Sequence, residues 1–373
     1  MNKRLPHVLF IALIVVIFAG CSDRLDMENA AFPLLVGLDL DKKNKLTIYS
    51  SSPVLNKSAK KKTNEIRVNP KTTRQSAENQ GSYTSGVFQG RSIQIILVSK
   101  RVLQQKDWFQ LTDVWFRDPK NPLTPRIIAY DGPLSEIIYL NPKDQPMLPL
   151  LLREMVDTKS MRSETVKTTL QDLHNQMREK AVTPYISEVR VRDEQISITG
   201  TTLLDHNGKF ADSLSIGESV LLHILQNDTR KAISLTLPIP GEMKNGPFHT
   251  DKLSLNVDKI KMKVRTSYLQ DKFQFDMNFS MHVGLSELMF PYDVRSHSKE
   301  LEHLIADQVQ KQLENLIKKL QAERIDPMGL GLYARAHEYS HFKKVEDHWG
   351  DALAKADIHV SLKTIIGAMG TVK

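Results

Sequence analysis

Cysteine is almost absent from this sequence: Cys21 is the only one in 373 residues. A lone thiol excludes an internal disulfide framework and any thiolate-rich metal centre. The common catalytic signatures are missing as well. There is no G-x-S-x-G elbow, no P-loop and no G-x-G-x-x-G, so nothing points to an α/β-hydrolase, a nucleotide hydrolase or a dinucleotide enzyme. Beyond residue 20 no segment approaches the roughly 20 apolar residues that a spanning helix needs. The formal charge is +8, and removal of the first twenty residues takes Lys3 and Arg4 with it to leave +6. That excess favours an anionic membrane surface, but it is too dispersed to argue for a nucleic-acid partner. No internal repeat is evident.

The first twenty residues explain the one cysteine. Lys3 and Arg4 precede an apolar run from Val8 to Ala19, twelve residues long, which suits the core of a signal peptide and is too short to span a bilayer. It closes on Phe18-Ala19-Gly20-Cys21, two small residues before a cysteine, as lipoprotein signal peptidase requires. Residues 1–20 are therefore expected to be a lipoprotein signal peptide. Cys21 is expected to carry a diacylglyceryl group as the first residue of the mature chain. Two acyl chains give stable anchoring where one is marginal. An ordinary secretory signal and an uncleaved anchor are the alternatives.

With 40% hydrophobic and 25% charged residues, the full sequence has the composition of globular protein. Its length suggests more than one domain, divided here into residues 21–190, open to further subdivision, and residues 191–373. Strands are expected at 34–40 and 45–50, around the turn Asp41–Asn44, and again at 92–99 and 126–130. The lysine-rich stretch 56–65, with Lys57, Lys60, Lys61 and Lys62, reads as a solvated loop, with a headgroup- or partner-facing patch as the functional alternative. A helix should stop at Arg117-Asp118-Pro119, and Asp131-Gly132-Pro133 should open a short one through Ile138. Further helices are expected at 147–156 and at 163–180, the latter from Val166, Leu170, Leu173 and Met177.

In the second half, Asn207-Gly208 marks a hairpin turn between two alternating runs. A helix at 217–227 and a strand at 232–240 follow. Residues 251–284 alternate on both sides of Gln270-Asp271-Lys272, the pattern of a long antiparallel ribbon. Leu301, Leu304, Ile305, Val309, Leu313, Leu316, Ile317 and Leu320 form one stripe on a helix at 298–324. Asp326-Pro327 looks like an N-cap followed by proline at the first helical position, and 357–366 reads as a final strand. The fold class is α+β: several domains, mostly antiparallel sheets with packed helices, elongated.

One motif suggests chemistry. His337, Glu338 and His341 make H-E-x-x-H, the zinc-peptidase pattern of two imidazoles one helical turn apart beside a general-base carboxylate. Its context fails. The last glutamate, Glu346, lies too close to His341 to be a downstream third ligand. Lys344 and Asp347 occupy the places of the glycine and histidine of the extended motif. On a continuous helix His337, His341 and His348 would share a face about 40° wide, opposite Leu332, Ala336, Tyr339 and Phe342, and would point to solvent. No metal, cofactor or catalytic residue is assigned, beyond weak adventitious zinc or nickel on that face.

Several stretches together resemble one family. They are "CSDRLDMEN", "LLVGLDLDKKNKLTI", "WFRDPKNPLTPRIIAYDGPLSEII", "IDPMGLGLYARAHEYSHFKKVEDHW", which closes on Trp349, and "ADIHVSLKTIIGAMG". Their order and spacing resemble the Ger(x)C spore germination lipoproteins, the C subunits of nutrient germinant receptors in endospore-forming Gram-positive bacteria. Ser22 departs from the usual tryptophan, and "IIGAMG" lacks a basic residue common near the last glycine. The resemblance implies a non-enzymatic subunit on the outer face of the inner spore membrane, partnered by a polytopic A subunit and a transporter-like B subunit. It implies three α+β domains of unusual topology and brings no catalytic residues. The competing reading is a lipid-anchored extracytoplasmic solute-binding protein for an importer, which would have two α/β lobes with parallel sheets.

Overall fold

Three stretches of the first half, 35–40, 95–99 and 126–130, are apolar almost without interruption, and strands of that kind lie buried on both faces. They sit at the centre of a sheet in the computed structural model of the protein. It describes residues 30–55, 58–84, 86–140, 145–228, 232–240, 248 and 250–368. In chain order the strands are β1 (Ala30–Ala31), β2 (Leu35–Leu40), β3 (Leu46–Pro53), β4 (Thr63–Val68), β5 (Val87–Phe88), β6 (Ile95–Ser99) and β7 (Arg126–Tyr130). Then come β8 (Tyr185–Arg192), β9 (Gln195–Leu204), β10 (Phe210–Ser215), β11 (Ile233–Pro238), β12 (Lys252–Leu269), β13 (Lys272–Leu288) and β14 (Asp357–Ala368). The helices are α1 (Thr73–Gly81), α2 (Lys100–Leu103), α3 (Asp113–Arg117), α4 (Leu134–Ile138), α5 (Leu148–Met161) and α6 (Leu170–Arg178). They continue with α7 (Ile216–Leu225), α8 (Ser298–Ala322), α9 (Leu330–His337), α10 (Tyr339–Val345) and α11 (Trp349–Ala354).

Eight strands form the first sheet, in the order β10-β9-β8-β7-β6-β2-β3-β4. Its centre, β8-β7-β6-β2, is parallel, and both flanks are antiparallel. Alternation assigns each central strand to two cores. Val36, Leu38, Ile96, Val98, Ile127 and Ala129 pack with Val102, Leu103, Trp108, Trp115, Leu170 and Leu173 on one face. Leu35, Ile95, Leu97, Ile128 and Tyr130 pack with Leu134, Ile137, Leu152 and Val156 on the other. The second sheet, β11-β12-β13-β14, holds the expected long ribbon, which turns at Gln270 and Asp271, both at positive φ. β14 joins it parallel to β13. α8 lies across this sheet with Leu301, Ile305, Val309, Leu313, Leu316, Ile317 and Leu320 buried. The α+β class, with antiparallel pairing in both sheets, is as the sequence implied. The parallel centre is an addition. Two large sheets and three buried cores organise the described chain, where the resemblance implied three domains.

Several local expectations need correction. The stretch taken as a loop to residue 65 ends earlier, because Thr63–Val68 pairs with β3 and turns only Ile66 and Val68 inward. α1 was not foreseen, since it buries Ser76 and Gln80 rather than an apolar stripe. Residues 163–169 are not helical: Ser163 has φ +61°, and the chain runs past the sheet, where Ile127 N–H bonds Thr168 O at 3.0 Å. α6 starts only at Leu170, where Thr169 and Asp172 form a capping box. The hairpin at Gly208, φ +78°, is present, but its strands β9 and β10 extend the first sheet. The first sheet thus runs on past residue 190 to Ser215. The helix expected from Asp326-Pro327 begins three residues late, at Leu330 with Gly329 as its N-cap.

Candidate functional site

The late start of that helix has a cause. After α8 the chain turns through Arg324, at φ +57°, and buries Asp326 completely. Its carboxylate caps the turn that follows. Oδ1 accepts from the N–H of Gly329 at 2.8 Å and of Leu330 at 3.1 Å. Oδ2 accepts from Gly331 N–H at 2.7 Å and from the Trp349 indole N–H at 2.8 Å. Burial pushes the Asp326 carboxyl above its ordinary range, opposed by these four donors, each of which favours the carboxylate. Trp349 is buried and packs its ring against Phe273 of β13, 5.2 Å between centroids, and Phe342 of α10, 5.4 Å. One carboxylate thus ties the exit of α8, the start of α9 and the start of α11 to the ribbon.

This knot is also where the two sheets meet. Thr183 N–H donates to Asp326 O at 3.0 Å, and the Gln226 amide donates to Pro327 O at 2.8 Å. Gly331 lies so close to the 181–183 segment that a Cβ would sit 2.5 Å from Ala181 O and 2.8 Å from Trp349 Nε1. Only glycine fits there. Ion pairs rim the contact. Arg335 grips Glu179 with both nitrogens, at 2.7 and 3.0 Å. Lys180 reaches Glu346 and Asp347, each at 2.8 Å. Lys319 bridges Glu218 at 3.0 Å and Asp212 at 3.2 Å. Although burial pushes Glu179 up, the Arg335 guanidinium and Ala181 N–H bring its carboxyl below the usual value. The Lys180 ammonium holds Glu346 and Asp347 low as well. The arrangement can fix geometry and carry force between the sheets.

The H-E-x-x-H does not lie on one helix. α9 ends at His337, Glu338 has φ −129° and ψ 47°, and a new helix starts at Tyr339. His337 is exposed, while the His341 ring stacks on Tyr268 at 3.8 Å and 20°. His348 falls in a separate 3-10 turn. The common imidazole face expected of a continuous helix is therefore absent, and Phe342, expected beside Tyr339, is buried while Tyr339 is exposed. Among the described residues no three or more His, Cys, Asp or Glu side chains are grouped to hold a metal ion. Lys60 and Lys62 are exposed, Lys61 pairs with Glu65, and Lys57 lies outside the described residues. So does Cys21.

The pairing of Asp326 with Trp349 was not foreseen. Both residues stood in the quoted stretch, and Asp-Pro-x-Gly reads equally well as a helix start. A hint lay in the glycines, since two in the first turn of a helix, Gly329 and Gly331, suit a chain that must pass close to other backbone. Gln80 was also missed, because nothing in a polar helix marks which amide is buried.

Residues 23–191 match the family described as the spore germination protein N-terminal domain, and residues 199–370 match "Spore germination B3/ GerAC like, C-terminal". The chain belongs to the GerAC-like spore germination family. Among solved structures it is similar to the crystal structure of the GerBC protein, with a TM-score of 0.57 over 89% of this chain and 96% of that one. The identity is 15%, so this likeness speaks for the fold. Among curated proteins nothing matches. The two family matches part between residues 191 and 199, across the β8–β9 turn at Asp193 and Glu194, so the C-terminal match begins within the first sheet. Trp349, Asp326 and Gly331 all lie within that C-terminal match. Among the described residues no helix is long and apolar enough to cross a membrane.

Proposed function

We propose that this chain is the lipid-anchored, non-enzymatic C subunit of a spore nutrient germinant receptor. Cys21 carries the acyl chains, and the mature chain sits on the outer face of the inner spore membrane beside a polytopic A subunit and a transporter-like B subunit. The observation that carries this reading is the run of two germination domains over residues 23–370, beginning two residues after Cys21. The junction around Asp326 supports a mechanical part: its buried polar groups bond backbone and indole N–H groups, and its ion pairs join one sheet to the other. A two-lobed solute-binding protein would need a second parallel α/β lobe, and the second sheet is mainly an antiparallel ribbon.

The test is recovery of the tagged full chain from dormant spores in detergent. Two polytopic membrane proteins should copurify with it. Recovery of the chain alone under conditions that keep membrane complexes intact would overturn the receptor assignment. Separately, Cys21→Ala should abolish incorporation of a fatty-acid probe and reduce nutrient germination. Continued labelling of that variant would refute the anchor.

A further inference from the structure

α8 covers one face of the second sheet, where Phe275, Met277, Phe279 and Met281 are buried with its apolar stripe. The other face carries the alternate residues of β12, β13 and β14. Strand register sets them in rows. Lys263 lies beside Asn278 and Ser361, Lys261 beside Ser280 and Lys363, and Lys259 beside His282 and Ile365. These three rows hold four lysines and no carboxylate. All four lysines are exposed, and none makes an ion pair among the described residues. Elsewhere cations meet carboxylates, as Lys180, Lys319 and Arg335 do. The nearest acids bound the patch: Asp276 opposite Arg265 in the next row, and Asp258 over Gly284 in the bulge beyond Lys259. Two aliphatic side chains share the face. Ile365 is 41% exposed among the lysines, and Leu269 is 55% exposed at the hairpin end.

We propose that this face lies on an anionic phospholipid surface. Alternate residues of a strand stand about 7 Å apart, so the lysines form a spread of cations and not a pocket for one small anion. A polybasic cluster of this size is drawn to acidic lipids, with a modest gain per charge that acts within a Debye length. Asn278, Ser280 and Ser361 between the lysines are short and uncharged, so they do not hold the ammonium groups away from a flat surface. Ile365 and Leu269 are placed to enter the headgroup layer, as the apolar residues of interfacial segments do. The cores of protein interfaces are depleted in lysine and enriched in aromatic anchors, and single-stranded nucleic acids are held by stacking aromatics. No Phe, Tyr or Trp projects from this face. The inference goes beyond the Cys21 anchor, which would keep the chain at a membrane without choosing the face that meets it, and does not depend on it.

The test reconstitutes the full chain with vesicles of phosphatidylcholine alone or mixed with phosphatidylglycerol. Mass spectrometry then reads the reactivity of each lysine toward a water-soluble acylating reagent. Lys261, Lys263 and Lys363 should react several-fold more slowly on the anionic vesicles. Lys318, exposed on α8 across the sheet, should react alike on both. Salt near 1 M, where the Debye length is about 3 Å, should remove the protection. Lys261→Glu with Lys263→Glu changes exposed groups only, so it should melt as wild type does and abolish the protection of Lys363. A chain that washes off neutral vesicles has no anchor, and it should then float with anionic vesicles through this face alone. The proposal is overturned if the three lysines react alike on both kinds of vesicle, if Lys363 stays protected in the double variant, or if an unanchored chain fails to float. It is also overturned if duplex DNA or a protein copurified from spores protects these lysines while anionic vesicles do not.

Discussion

Asp326 shows how one side chain can carry a junction. Asp326→Ala would strand three buried backbone N–H groups and one indole N–H. Leaving a buried donor unpaired costs about 1–3 kcal/mol each, so this variant should lose on the order of 4 kcal/mol or more. Trp349→Phe keeps the ring packing and removes one bond to a charged acceptor, for about 1.5–3 kcal/mol. Thermal melts of the two variants should rank in that order, and an Asp326→Ala protein as stable as Trp349→Phe would contradict the network. His337→Ala belongs at the other extreme. The side chain is exposed at a helix end, so stability should change by less than about 0.5 kcal/mol and germination should persist. At this scale the sequence was partly legible. Failed ligand spacing argued against a metal site at the H-E-x-x-H, but the break at Glu338 could not be read, because no proline or glycine marks it. Asp326 was recognised as a cap, though not as one whose second oxygen is shared with a residue 23 positions away.

At the scale of elements, periodicity was most reliable where packing alone decides. The stripe on α8 packs on its own sheet, with Leu313 fully buried. Leu313→Ala should therefore cost about 2–5 kcal/mol, and an unshifted unfolding midpoint would mean that the stripe faces a partner. Periodicity misled where polar residues do the packing, as in α1, and where one helix-like spacing joined two segments, as when Val166 was read with Leu170. The ion pairs between the 179–180 segment and α9 to the 346–347 turn add a pH dependence. The carboxyls of Glu179, Glu346 and Asp347 are depressed in the folded state. Their contribution is thus fully present above the unfolded values of about 4 and is lost as pH falls through the lower folded values. Melting temperature should fall on acidification below about pH 4, and less steeply for Glu179→Gln, which has already given up one pair. Equal slopes for the two proteins would remove Glu179 from the account.

For the whole molecule, the antiparallel ribbon and the outer strands were readable because one face of each is wet, which leaves an alternating pattern. The parallel centre was not, since strands buried on both faces show an apolar run with no information about direction. Nor was the ownership of β9 and β10, because a hairpin signal does not say which sheet it joins. That ownership has a consequence. Leu204 packs in one core of the first sheet, Ile198 in the other, and Leu203 and Leu214 in the core under α8. The hairpin is a shared part, and neither sheet can lose it without exposing apolar surface in the other. The Asp326 knot and its rim of ion pairs lie at the same contact. The two halves should therefore unfold together, although chains of this size commonly divide into independent units. Scanning calorimetry of the full chain in detergent should give one transition whose calorimetric and van't Hoff enthalpies agree. Asp326→Ala should move that transition down as a unit. Two resolved transitions in the wild type, with only the upper or the lower one sensitive to Asp326→Ala, would show that the hairpin belongs to one half and that the junction is a hinge.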